Sequence, residues 1–142
     1  MEKSIKINLG CGYDFSADLI GFDKHDYGQQ HVLDIEIQDL PFPNGTVEYI
    51  KMHHSLEHIA DVQHILNECW RVLAHDGFIE IWVPNGFWKG AYNPTHKQIM
   101  TPSWFDFLTR SKTKYYGYKR WEIIKLDETE AEIYCKMKPY AK

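Results

Sequence analysis

The sequence predicts an α/β domain whose mostly parallel sheet ends in an antiparallel hairpin. Three observations predict it. An apolar run, Ile5 to Leu9, breaks into Gly10-Cys11-Gly12. A strand–helix–strand pattern extends from Val47 to Val83. Two strand-like segments, Trp121 to Leu126 and the alternating Ala131 to Met137, are separated by a link too short for a parallel crossover.

The elements follow in order. Ile5 to Leu9 reads as the first strand, Leu19 to Phe22 as the second and His31 to Leu33 as a short third. Gly10 to Asp18 and Lys24 to Gln30 are too short to hold a crossover helix with its loops, so one face of this part of the sheet lacks helical cover. Leu40-Pro41-Phe42-Pro43-Asn44-Gly45 is turn chemistry, with two prolines and an Asn-Gly pair. Val47 to Met52 reads as a fourth strand. Val62, Ile65, Leu66, Cys69 and Leu73 then share one helical face, with Asp61 as N-cap and His75-Asp76-Gly77 as a glycine stop. Phe78 to Val83 is a largely apolar fifth strand suited to the sheet centre. Pro84 to Pro94 reads as a loop. Thr101-Pro102 opens a short helix carrying Trp104, Phe105 and Leu108, with Thr101 as its cap. The two closing strands form the hairpin.

At 142 residues the chain reads as a single domain spanning residues 1–142. Its net charge of -4 and scattered Lys and Arg argue against a nucleic-acid partner. The 3 cysteines, Cys11, Cys69 and Cys135, follow no zinc or disulfide spacing, which suggests a reducing compartment and a cytoplasmic location. No apolar run approaches the ~20 residues of a membrane span.

The glycine turn is the first candidate site. Gly10 and Gly12 bring bare backbone to the end of a strand, and Asp23 ends the next strand, where a carboxylate accepts hydrogen bonds from ribose hydroxyls. Asp23 follows Gly12 by 11 residues, not the ~20 of dinucleotide folds, which disfavours a dehydrogenase.

Several ordered motifs carry a resemblance. Ile7-Asn8-Leu9-Gly10-Cys11-Gly12, Gly21-Phe22-Asp23, Leu40 to Gly45, His54-Ser55-Leu56-Glu57-His58-Ile59, Trp70-Arg71-Val72-Leu73, Asp76-Gly77, Asn93-Pro94-Thr95-His96 and Thr101-Pro102 together resemble the class I S-adenosylmethionine-dependent methyltransferases. The likeness is to small members with a shortened loop between the first two strands, and it covers about residues 5–110. Asn8 stands where many members carry an acid.

The resemblance implies a Rossmann-like methyltransferase sheet and S-adenosylmethionine as cofactor. Leu9, Gly10, Cys11 and Gly12 belong to the cofactor motif, Asp23 binds the ribose, and Asp34 lies near the adenine, with Glu36 as its alternative. His54 lies beside the cofactor. His54 and His96 are the candidates for a catalytic base, although alignment of an acceptor with an activated methyl group requires none. The implied reaction is methyl transfer to an oxygen or nitrogen of a small-molecule or sugar-like acceptor. The alternative is a non-catalytic cofactor-binding or regulatory subunit. Enclosure of an acceptor falls to the Pro84 to Pro102 segment or to a partner subunit, and a homodimer is the other candidate assembly.

His54, His58 and His64 also invite a metal reading. Their order is not the His-Glu-x-x-His of metalloproteases, and the family pattern accounts for His54, Glu57 and His58 without an ion, so no metal is expected. Phe87, Trp88 and Tyr92 are candidates for an acceptor pocket or for core packing, and Tyr115, Tyr116 and Tyr118 for a recognition surface or cover of the sixth strand.

Overall fold

A computed structural model describes residues 4–142. Ile5–Leu9 forms β1, Ile20–Asp23 β2, His31–Val32 β3, Val47–His53 β4, Leu73–Pro84 β5, Trp121–Glu128 β6 and Glu132–Pro139 β7. They make one seven-stranded sheet in the order β3-β2-β1-β4-β5-β7-β6. The first five strands pair in parallel, and β7 runs antiparallel to both β5 and β6. The expected hairpin therefore closes the sheet. The order reverses between β1 and β4, and ligands bind at such a switch point in open α/β sheets.

The sheet has one dry face. Ile7, Leu9, Ile50, Met52, Ile79, Ile81, Ile133, Cys135 and Met137 are buried and join one apolar cluster with residues of two helices. Those helices are α1, Val62–Val72, and α2, Pro102–Phe107. The alternate positions Tyr49, Lys51, Phe78, Glu80, Trp82, Tyr134 and Lys136 are half-buried. Glu80 accepts hydrogen bonds from the phenols of Tyr49, at 2.7 Å, and Tyr134. Lys136 lies over the Phe78 ring. A parallel sheet covered on both faces has strands that are apolar throughout. Here Phe78-Ile79-Glu80-Ile81-Trp82 alternates, because only one side packs against helices. The fifth strand is largely apolar as expected, with Glu80 on its open face.

Helix α1 forms as its periodicity requires. Asp61 Oδ1 accepts the His64 amide, and Val62, Ile65, Leu66, Cys69 and Val72 are buried. Its C-terminus differs from expectation. The helix stops at Val72, and Leu73 is already extended and paired with Val47. Gly77 lies inside the strand and supplies no stop, because pairing with β4 begins before it. Helix α2 begins at Pro102, but Thr101 makes no side-chain cap; its hydroxyl pairs with Ser103 Oγ instead.

An ion pair positions the proline-rich turn. Glu68 Oε1 accepts the Leu40 amide at 2.8 Å. Arg71 is held by Glu68 and donates to the carbonyls of Leu40 and Phe42 and to Asn44 Oδ1. Backbone groups that no strand satisfies are thus paired by two side chains one helical turn apart.

Candidate functional site

The ends of β1, β2 and β4 and the loop after β3 surround a cleft of about 210 Å³. Gly10, Gly12, Asp23, Asp34 and His54 all line it. Sequence-derived positions separated by up to 44 residues therefore meet at one place. Leu9 and Cys11 do not line it: both are buried, Leu9 completely. Alternation along the strand turns the Leu9 side chain into the core.

The two glycines do different work. Gly10 has φ +73° and sits so near β4 that an added Cβ would lie 2.4 Å from the Ser55 Cβ. Ser55 in turn donates to the Leu9 carbonyl at 3.0 Å, which locks the turn to the end of β4. Gly12 has φ +53° and no atom within 4 Å of the position a Cβ would take. It leaves open space on the cleft side. Both backbones occupy the left-handed region that favours glycine.

Asp23 joins the turn to the neighbouring strand. Its Oδ2 accepts the Gly12 amide at 3.0 Å and its Oδ1 the His25 amide at 3.1 Å. Asp34 Oδ1 accepts the Glu36 amide. Glu36, the alternative adenine contact, spends Oε1 on the amides of Ala60 and Asp61, tying the β3 loop to the start of α1. Glu36 lines the cleft together with Asp34; Ile35 and Ile59 add apolar wall, and Lys24, Ser55 and His58 complete the lining. Of these, Ser55, His58 and Ile59 belong to the motif after β4, whereas Lys24 and Ile35 are ordinary loop residues by type that no local motif marks.

Asn8 is buried, and its amide donates to Asp14 Oδ2 at 3.3 Å. Lys51 approaches the same oxygen at 2.9 Å. Hydrogen bonds from Lys51 and Ser16 lower the Asp14 pKa below its ordinary value. Asp14, six residues after Asn8, thus ties the turn to Asn8 and to Lys51 of β4.

His54 is the one strained residue at the cleft, with φ 53° in a non-glycine residue. Its Nε2 lies 2.6 Å from Glu132 Oε2 and its Nδ1 3.5 Å from Glu57 Oε2. Both ring nitrogens face carboxylates. Glu132 comes from β7, and no local motif marks it. His96 does not line the cleft; its Nδ1 meets the Ala91 carbonyl, and its ring packs edge-on against His58, with centroids 4.9 Å apart. His58 does line the cleft, so His96 stands one ring behind it.

The aromatic candidates also separate. Phe87 and Tyr92 are exposed, while half-buried Trp88 folds over Gly90. Tyr115 and Tyr116 are exposed, and Tyr116 and Tyr118 lean edge-on against Phe107. None of these lines the cleft. Tyr13, directly after the glycine turn, packs on Tyr27 with ring centroids 4.6 Å apart.

The strand order with an antiparallel last strand, and a glycine turn at the end of β1 bonded to an acid at the end of the adjacent β2 beside the switch point, define a class I methyltransferase fold. The comparisons agree. A family model described as a methyltransferase domain matches residues 7–81, more than half of the chain. Demethylmenaquinone methyltransferase from Listeria welshimeri is 26% identical over 113 residues, covering 73% of this chain and 48% of the relative. The chain spans about half the length of the curated relatives it matches. A SAM-dependent methyltransferase from Archaeoglobus fulgidus superposes with a TM-score of 0.68 at 15% identity, over 95% of this chain and 86% of that one. One from Mesorhizobium loti gives 0.70 at 9% identity, over 94% and 89%. The chain belongs to the methyltransferase domain family, within the class I S-adenosylmethionine-dependent superfamily.

Proposed function

We propose that the cleft binds S-adenosylmethionine and that the domain transfers its methyl group to an oxygen or nitrogen of a small-molecule acceptor. The observation that carries this is the convergence of Gly10, Gly12, Asp23, Asp34 and His54 on one cleft. The residues fit the group. The open space before Gly12 admits a ligand against bare backbone, and Asp23 and Asp34 offer carboxylates to ribose hydroxyls and an adenine amino group. Ile35 and Ile59 supply apolar surface for the purine.

The cofactor supplies a methyl group already activated on a sulfonium sulfur. The chain's contribution is orientation and exclusion of water. His54 lines the cleft and is the first candidate to take a proton from a hydroxyl or amine acceptor, through Nδ1, since Nε2 is paired with Glu132, which would stabilise the protonated ring. His96 does not reach the cleft, so its only route to the reaction is through His58.

A second reading has one observation in its favour. The sheet face carrying Tyr49, Phe78, Trp82 and Tyr134 has no helix over it. A second copy or a partner subunit covering that face would make this domain one part of a larger enzyme, or a regulatory subunit.

Isothermal titration with S-adenosylmethionine and S-adenosylhomocysteine tests the reading. Binding of both at one site per chain is expected, and absence of binding to the wild type overturns the cofactor assignment. A screen of hydroxyl and amine acceptors with the binding-competent protein then separates enzyme from subunit. Light scattering reads the assembly directly: a clean monomer removes the self-association version of the second reading.

A further inference from the structure

At the edge of the cleft, sharing His58 with its lining, stands a cluster whose capacity to hold an ion the methyl-transfer reading does not use. Glu57, His58 and His96 each place one ligand-type atom within 4.8 Å of the others. Glu57 is buried, its side chain 2% exposed, and its Oε1 has no hydrogen-bond partner among the described residues. A buried carboxylate oxygen without a partner is costly, and such exceptions mark an ion, a water or a functional proton.

The histidines are prepared for the same role. His58 Nδ1 lies 3.1 Å from the Thr95 carbonyl, and His96 Nδ1 lies 2.8 Å from the Ala91 carbonyl. A carbonyl only accepts, so both Nδ1 atoms carry the proton. That leaves each Nε2 with a free lone pair. Imidazoles that bind metals are held in just this way, with the second nitrogen donating to a carbonyl or carboxylate. The loop is anchored for it as well: the Lys97 and Gln98 amides both donate to the Glu57 carbonyl, fixing His96 against the Glu57–His58 segment.

We propose that Glu57, His58 and His96 form a binding site for a divalent cation of the zinc class. Two imidazole nitrogens and one carboxylate suit a borderline ion that takes nitrogen and oxygen donors. Donors around a tetrahedral ion stand roughly 3.4 Å apart, given bonds of about 2.0–2.2 Å. The three ligand atoms already stand within 4.8 Å of one another, so closing on an ion needs each pair to approach by roughly 1.4 Å at most. Three protein ligands leave a fourth position for water or another oxygen ligand, on the side where His58 borders the cleft. The pairing differs from the one that sequence spacing suggests. His54 and His58 do not share a helix face, because only Leu56–His58 is helical and His54 precedes it in the left-handed region. The site stands independently of the cofactor assignment.

The experiment uses the full chain, freed of metal with a chelator, titrated with Zn²⁺ and with Co²⁺ as a spectroscopic probe. Uptake of one Co²⁺ per chain with visible absorption typical of low coordination is expected, with a rise in Tm on adding Zn²⁺. Glu57→Gln and His96→Ala should each weaken binding at least tenfold, while His53→Ala leaves it unchanged. Far-UV spectra and Tm of the metal-free variants show whether each has kept the fold; Glu57→Gln keeps the shape, and His96 lies in a loop. Three results overturn the proposal: no Co²⁺ uptake by the wild type, binding insensitive to both folded cluster variants, or binding lost on His53→Ala. The last would place the ion at His53, His54 and Glu132, the neighbouring set with ligand atoms within 4.8 Å.

Discussion

The Gly12 amide donates to Asp23 Oδ2 at 3.0 Å, so the turn after β1 and the end of β2 are one hydrogen-bonded unit. The same carboxylate therefore shapes the backbone that faces the ligand and presents its charge to the ligand.

Replacing Asp23 with Ala is expected to weaken S-adenosylmethionine binding by at least about tenfold, since a hydrogen bond to a charged group contributes about 1.5–3 kcal/mol. Asp23→Asn keeps one carbonyl oxygen for a backbone amide and should retain more stability than Ala while still losing affinity. Titration calorimetry and urea unfolding of the two variants check both halves. Equal affinity in wild type and Asp23→Ala would remove Asp23 from the site.

The two glycines should respond differently to alanine. At Gly10 the methyl meets Ser55 Cβ and a left-handed backbone together, so Gly10→Ala should cost about 2–4 kcal/mol of folding stability. At Gly12 only the backbone strain applies, about 1–2 kcal/mol. Its methyl instead enters open space at the cleft, so Gly12→Ala should lower cofactor affinity in a protein that still folds. Comparing unfolding midpoints with binding constants separates the two effects.

Arg71 and Glu68 hold the Leu40–Gly45 turn against α1. Removing the guanidinium leaves a buried carboxylate and two carbonyls without it, so Arg71→Ala should destabilise by about 3 kcal/mol. The hydrogen bond from Arg71 lowers the Glu68 pKa. A lowered carboxylate pKa contributes stability that is present above the unfolded-state value, near 4.5, and is lost as pH falls towards the folded value. Urea unfolding from pH 7 to pH 3 should show a steeper loss in wild type than in Glu68→Gln, and parallel curves would contradict this.

On the open sheet face, burial and the adjoining Glu80 carboxylate raise the pKa values of Tyr49 and Tyr134. Spectrophotometric titration of the 9 tyrosines should show two that ionise well above the rest. A raised phenol pKa gives stability that is complete below the unfolded value and declines as pH rises towards the folded one. Glu80→Gln should bring both phenols down and reduce that alkaline loss. Unchanged titration would mean that Glu80 does not set their environment.

Much of this was legible in the chain. The apolar run ending in Gly10-Cys11-Gly12 marked β1 and its turn, because few residues other than glycine adopt such backbone. The period of Val62, Ile65, Leu66 and Cys69 marked α1, and Asp61 marked its start. Less legible were the boundaries. Leu73 looks helical by spacing, yet a sheet partner, Val47, claims it. Pairing across 26 residues overrides a local pattern that is one turn from its end.

The sequence by itself determined the order of elements, the glycine turn, the acid on the second strand and the family to which these belong. Each is written in residues close together, as periodicity, turn chemistry or a short motif. The tertiary structure decided which of these residues meet. It brought Glu132 of β7 to His54, set His96 behind His58 beside the unpartnered Glu57 oxygen, and turned Leu9 and Cys11 away from the cleft. It also left one face of the sheet without helical cover among the described residues. Those contacts join strands and loops up to 78 residues apart, and only strand order and register bring them together.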